Sequence, residues 1–106
     1  MSDEPLHIAV YGATGALGEQ ILLALEGEGL SIAGLQAAAG ASSAGQEVRW
    51  RGRPLTAVGV GEVALNTLDV GILAVPGEAA QALRKRLVAA GALAIDASDS
   101  GRQSPE

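Results

Sequence analysis

One stretch limits what this chain can fold into more than any other: Ile8-Ala9-Val10-Tyr11-Gly12-Ala13-Thr14-Gly15-Ala16-Leu17-Gly18. A short apolar run enters three glycines spaced three apart, and a helical pattern leaves them. Glycine is common here, at 15 of 106 residues, so the spacing alone is weak evidence. Its place between a strand and a helix gives it weight. Gly12 permits the tight corner out of the strand. Gly15 lets the backbone approach phosphate oxygens, and Gly18 lets the helix lie close against the strand. The helix then begins with unpaired N–H groups and the positive end of its dipole at the turn. The turn therefore reads as a cradle for a dinucleotide pyrophosphate. A tight turn without a ligand is the alternative.

A chain of 106 residues allows one small domain. Phe is absent and Tyr11 and Trp50 are the only aromatics, so the core must come from Ala, Leu, Val and Ile. Small side chains of that kind suit helices packed closely on a parallel sheet. The net charge of −5 disfavours non-specific binding to nucleic acid or to anionic membranes. No cysteine is present, which rules out disulfides and thiolate metal sites and fits a cytoplasmic protein. The acidic N-terminus shows no signal-peptide pattern, and no apolar run is long enough to span a membrane.

The pattern along the chain alternates strand and helix. Residues 1–5 read as a disordered leader, and residues 6–106 as one domain. A strand is expected over 6–11, with His7 at its edge. A helix is expected over 15–27, with Leu17, Ile21, Ala24 and Leu25 inward. Residues 31–39 read as a second strand and 40–46 as a polar loop. Residues 47–51 and 54–60 alternate as two strands, with Gly52-Arg53 turning a hairpin between them. Trp50 in that hairpin reads as a cover for a sheet edge. A short helical turn is expected within 61–67 and a buried strand over 69–75. A helix over 78–90 would face Ala80, Leu83, Leu87 and Ala90 inward, and 93–97 would form a last strand before a polar tail. The basic run Arg84-Lys85-Arg86 reads as a solvated helix face. This order predicts an α/β, Rossmann-like fold: a parallel sheet flanked by helices, with an inserted β-hairpin. Ligands bind such sheets outside the carboxyl ends of the strands. The loops 12–15, 40–46, 75–78 and 97–102 should therefore meet at one edge.

The second strand bears on the ligand. An NAD site usually places Asp or Glu about 20 residues past the glycines, to bond the ribose hydroxyls. No acid occurs here between Glu28 and Glu47. A carboxylate would repel a 2′-phosphate, so its absence tilts the reading towards NADP, with NAD as the alternative. Ser42 and Ser43 are candidate phosphate donors. No Arg or Lys lies in their loop, and the nearest is Arg49.

The chain resembles the N-terminal domain of the aspartate-semialdehyde dehydrogenase family. The resemblance lies in the Gly-Ala-Thr-Gly-Ala-Leu-Gly turn, in Ser43-Ala44-Gly45 after the second strand with a hairpin following, and in Ala89-Ala90-Gly91-Ala92. It continues through the strand end Ile95-Asp96-Ala97-Ser98. The family joins a nucleotide-binding domain to a catalytic and dimerisation domain, and uses NADPH to reduce an acyl phosphate to an aldehyde in amino-acid biosynthesis. The resemblance implies that residues 12–17 hold the pyrophosphate. Ser42 and Ser43 would lie near the adenosine ribose or its 2′-phosphate, and Ala74, Pro76 and Gly77 near the nicotinamide. Ser98 would lie by the nicotinamide ribose, and Arg102 would bind substrate phosphate as a planar fork. It also implies homo-oligomerisation through the second domain.

The chain departs from the family in several places. Gln46 follows Gly45 where a basic residue is frequent, and Pro76 stands in a loop that is commonly glycine- or serine-rich. Asp99 and Gly101 replace bulkier uncharged residues. The sequence holds no cysteine to form an acyl-enzyme, and its single histidine lies in the first strand. The expected function is thus the cofactor-binding part of a two-domain oxidoreductase, without its catalytic Cys and His. The competing reading is a non-catalytic nucleotide-binding or interaction module that keeps the fold. A short-chain reductase is disfavoured, because that class needs Tyr and Lys one helical turn apart. Here Tyr11 lies in a strand, and Lys85 is the only lysine.

Overall fold

A computed structural model describes residues 5–27 and 31–97. The elements run β1 (Leu6–Tyr11), α1 (Ala16–Gly27), β2 (Ile32–Ala39), β3 (Glu47–Trp50), β4 (Arg53–Thr56), β5 (Val58–Gly59), β6 (Val70–Leu73), α2 (Gly77–Ala89) and β7 (Leu93–Asp96). Two 3-10 turns, Val60–Glu62 and Leu65–Thr67, lie between β5 and β6.

Five strands form a parallel sheet in the order β5-β2-β1-β6-β7. The chain moves outward from β1 to β2 and β5, then returns to the other side of β1 for β6 and β7. That reversal opens a crevice at the carboxyl ends of β1 and β6, where open α/β sheets take their ligands. The hairpin β3–β4 is a separate antiparallel pair.

Strand periodicity divides the core between the two faces of the sheet. Ile8 and Val10 of β1 join Leu22 and Leu25 of α1, with Ala37, Ala39, Val48 and Ile72. Ala9 and Tyr11 point the other way, towards Ala80, Leu83 and Leu87 of α2, with Val63, Leu68 and Leu73. Leu22, Leu73 and Leu87 are among the most deeply buried side chains. Each contributes roughly 1.5–3 kcal/mol by leaving water. Gly71 brings α2 close, since a Cβ there would lie 2.5 Å from Leu87 Cδ1.

Four details differ from the sequence reading. The buried ridge of α1 is Gly18, Leu22 and Leu25, whereas Leu17 and Ala24 are exposed and Ile21 half-buried. On α2, Ala80, Leu83 and Leu87 are buried as expected, but Ala90 lies just past the helix and is exposed. The hairpin turns at Arg51-Gly52 rather than Gly52-Arg53, because Trp50 pairs with Arg53. Both turn residues have positive φ, 54° and 78°, the geometry that matches the twist of a two-residue hairpin. The expected strand over 54–60 is two strands that serve different sheets, β4 in the hairpin and β5 beside β2. Trp50 is half-buried and packs against the core on the α1 face.

Candidate functional site

The glycine turn sits between the exits of β2 and β6. The N–H groups of Gly12 and Ala13 both donate to the Ala38 carbonyl, at 2.9 and 3.1 Å. Across β1, the Ala74 N–H donates to the Tyr11 carbonyl at 2.9 Å. The turn is therefore fixed to both neighbouring strands before α1 begins.

Each glycine has a distinct physical reason. Gly12 adopts φ +85°, and a Cβ there would lie 2.3 Å from the Ala74 carbonyl oxygen. Gly18 is buried, and its Cβ would lie 2.1 Å from the Gly12 carbonyl oxygen. Both positions exclude a side chain because backbone atoms cannot yield. Gly15 is different. Its φ is ordinary, and the nearest atom to a built Cβ is the Gly12 oxygen at 3.6 Å. Among the described residues, nothing else comes within 4 Å of that Cβ, so the lack of a side chain leaves a shallow exposed cradle.

Donors border that cradle. The Gly15 N–H is spent on the Gly12 carbonyl at 3.1 Å, and the Glu19 N–H on the Gly15 carbonyl at 2.9 Å. Among the described residues, no acceptor meets the N–H groups of Ala16, Leu17 or Gly18, the first turn of α1. These donors and the helix dipole favour an anion. Thr14 is half-buried beside them, and Ala13 is fully buried in the core.

A second helix start lies at the same edge. Pro76 is the residue before α2, and its carbonyl accepts the Ala80 N–H at 2.8 Å. Proline's missing donor costs little there, because the free N–H groups of a helix start belong to the residues that follow. Gly77 opens the helix, and Ala74 abuts Gly12.

Residues 7–106 match the family described as the NAD binding domain of semialdehyde dehydrogenase. The chain belongs to that family. It is 34% identical to aspartate-semialdehyde dehydrogenase from Bacillus subtilis over 86% of this chain and 26% of the relative. With the same enzyme from Prochlorococcus marinus it shares 33% over 98% of this chain and 30% of the relative. The crystal structure of aspartate semialdehyde dehydrogenase II from Vibrio cholerae superposes with a TM-score of 0.86 at 25% identity, covering 95% of this chain and 30% of that one. The chain thus spans less than a third of the length of these relatives. Its described part is the Rossmann-type, dinucleotide-binding domain of aspartate-semialdehyde dehydrogenase-like proteins.

Within this semialdehyde dehydrogenase domain, the cradle over Gly15 fits a pyrophosphate: it is open, lined by backbone donors, and would be filled by any Cβ. The expected residues fall in three groups. Gly12, Ala13, Thr14, Gly15, Ala16, Leu17 and Ala74 come together at the turn, with Pro76 and Gly77 at the neighbouring helix start. Ser42 and Ser43 lie on the loop leaving β2, at the same sheet edge. The Ser43 N–H donates to the Gly40 carbonyl at 2.9 Å, which shapes that loop. Ser98 and Arg102 lie outside the described residues.

The structure also brings in residues that sequence reasoning did not select. A cavity of about 500 Å³ runs from Ala13 and Thr14 along α1 to β3, where Glu19, Gln46, Glu47 and Arg49 border it. Only the folded hairpin shows this, since Glu19 and Glu47 are far apart in sequence. A second cavity, of about 460 Å³, lies between the start of β2 and the hairpin tip, away from the turn.

Proposed function

We propose that the chain binds a nicotinamide dinucleotide, NADP or NAD, as the cofactor domain of an aspartate-semialdehyde dehydrogenase-like oxidoreductase. In that role Ala16, Leu17 and Gly18 would direct their N–H groups at the pyrophosphate, and the open face of Gly15 would admit it. The bound dinucleotide supplies the hydride for reducing an acyl phosphate to an aldehyde. Ser42 and Ser43 would flank the adenosine side. Ala74, Pro76 and Gly77, with Ser98, would flank the nicotinamide side, and Arg102 would hold substrate phosphate. The covalent and proton-transfer steps fall to residues of a second domain. The chain has no cysteine, and His7 lies at the start of β1, at the opposite end of the sheet from the turn. That second domain would also carry homo-oligomer contacts, and the whole protein would act in the cytoplasm.

Two features bear on the choice of dinucleotide, and they oppose one another. Residues 29–46 hold no acid to receive a free 2′-hydroxyl, which supports NADP. Glu19 and Glu47 border the cavity beside Thr14, and they oppose a 2′-phosphate.

The observation that carries the proposal is the cradle over Gly15, open where Gly12 and Gly18 are closed. Titration of the chain with NADP and NAD by calorimetry tests it. At least one should bind in the millimolar range or tighter, and Gly15→Val should weaken it by tenfold or more, on the order of 1.4 kcal/mol. A thermal melt of Gly15→Val should match the wild type, which separates lost binding from lost folding. Failure of both dinucleotides to bind the wild-type chain would refute the assignment.

A further inference from the structure

The outer edge of β2 is open over most of its length. β5 pairs only with Ala38 and Ala39, so among the described residues no strand lies beside Ile32 to Gln36 on that side. The ladder with β1 skips Ala33, which leaves that residue outside the pairing on both sides. The stretch holds no charge and no proline, two features that blunt an exposed edge. Gly34 lies within it, and a strand glycine suits the close approach of another backbone. The cavity of about 460 Å³ runs along this edge. Four consecutive residues, Ile32 to Leu35, line it, so it follows the edge of β2 and not one of its faces. The open stretch ends at Gln36, whose Oε1 accepts the Ala64 N–H at 3.1 Å.

The opposite wall is the hairpin. Trp50 and Leu55 are half-buried and Pro54 is exposed, and together they give that wall an apolar surface. Arg51 and Arg53 also line the cavity, and Arg51 lies over the Trp50 ring at 4.9 Å from its centre. Residues 47–56 hold Arg49, Arg51 and Arg53 against Glu47 alone, so this element is cationic in a chain of net charge −5. Arg49 Nη1 donates to the Gly52 carbonyl at 3.4 Å, which draws its charge to the hairpin tip. Glu26 answers part of that charge, because its carboxylate accepts the Arg51 N–H. Among the described residues, the Arg53 side chain has no ion-pair or hydrogen-bond partner.

We infer that this groove takes an extended acidic segment of a partner protein, added as a strand to the edge of β2. Backbone groups of β2 pair with the segment, alternate side chains rest on Trp50 and Leu55, and carboxylates meet Arg53 and Arg51. Ile32 to Gln36 span ~16 Å, which sets the paired stretch at about five residues. The groove lies at the amino ends of the strands, away from the glycine turn, so the inference stands apart from the dinucleotide reading.

Trp50 is the only tryptophan and lines the groove, so its emission reports occupancy. The probe is a short synthetic peptide alternating valine and glutamate, titrated into the full chain at low salt. It shifts the Trp50 emission and saturates below millimolar concentration. Arg53→Glu weakens binding by about tenfold, and added salt weakens it in the wild type. Arg53 is exposed, so the variant keeps the wild-type melting temperature. A fully N-methylated copy of the peptide, which has no N–H to give to the edge, does not bind. The inference is overturned if the valine–glutamate peptide leaves the emission unchanged, if a valine–lysine peptide binds equally well, or if Arg53→Glu keeps the wild-type affinity. Self-association of the chain that Arg53→Glu abolishes overturns it as well, because a second copy is then the occupant.

Discussion

Tyr11 has no exposed surface, and among the described residues its buried hydroxyl meets no hydrogen-bond partner. The ring packs between the sheet and α2 and contributes to the core, while the oxygen loses its water without compensation. Tyr11→Phe keeps the ring and removes the orphan. Urea unfolding should show it as stable as the wild type or more so, by up to about 1–2 kcal/mol. Burial also pushes the Tyr11 phenol above its usual value, with the positive charge of Arg86 opposing. The neutral phenol is thus favoured in the folded state. Above a pH of about 10 the unfolded chain releases the proton first, so stability falls as pH rises. Melting temperatures followed from pH 8 to 11 should decline more for the wild type than for Tyr11→Phe.

Gly18 belongs to the same scale. A Cβ 2.1 Å from a backbone oxygen cannot be relieved by a rotamer change. Gly18→Ala should destabilise by about 1–3 kcal/mol through displacement of α1, read as a lower melting temperature. The three-residue spacing of the glycines was legible in the sequence, and so was the close approach at Gly18. The difference between the closed position at Gly18 and the open one at Gly15 was not legible, because it depends on where the Gly12 carbonyl points.

Among the elements, the hairpin is the clearest case of local chemistry overriding pattern. Residues 54–60 alternate as one strand would. The Ala57 N–H, however, donates to the Gln46 carbonyl at 2.8 Å, and the Ala57 carbonyl accepts the Gly45 N–H at 2.8 Å. These bonds close the hairpin, and Val58-Gly59 then pairs with β2. Period-two patterning reports which face a residue takes and carries no information about which strand it will meet. The register shift of the turn has a similar origin: Arg51 is an unusual residue at φ 54°, so Gly52-Arg53 looked the better corner. Gly52→Ala should cost about 1–2 kcal/mol in a chemical melt, because φ +78° then crowds a Cβ. On α1, apolar residues occur on several sides, and Gly18 decides which ridge turns inward. A glycine is invisible to a hydrophobic stripe, which is why Leu17 and Ala24 were misassigned and Leu25 was not.

For the whole molecule, the two faces of the sheet are unequally covered. Tertiary packing on the α2 face reaches Ala94 of β7. On the α1 face, the packed core reaches Val70 and Ile72 of β6. Leu93 and Ile95 sit beside Val70 and Ile72 in register, yet remain 60% and 44% exposed. Among the described residues β7 is also an edge strand, and apolar edge strands invite association. Ile95→Lys should therefore reduce self-association of the isolated chain in sedimentation experiments, with little change in its melting temperature. Four of the five sheet strands and the two helices were legible because those strands are mainly apolar and the helices carry a 3.6-residue pattern. The uneven cover was not, because it depends on how far α1 reaches across a sheet whose order only folding reveals.

The contrast among the three glycines has an evolutionary consequence. Replacement at Gly12 or Gly18 harms the fold itself, so selection for a folded protein holds them whatever the domain binds. Replacement at Gly15 leaves the fold intact, so only selection for the ligand holds it. In a lineage that stopped using its cofactor, the first and third glycines would persist and the second would drift. The residue at position 15 is therefore a record of use, readable across relatives without a single binding measurement.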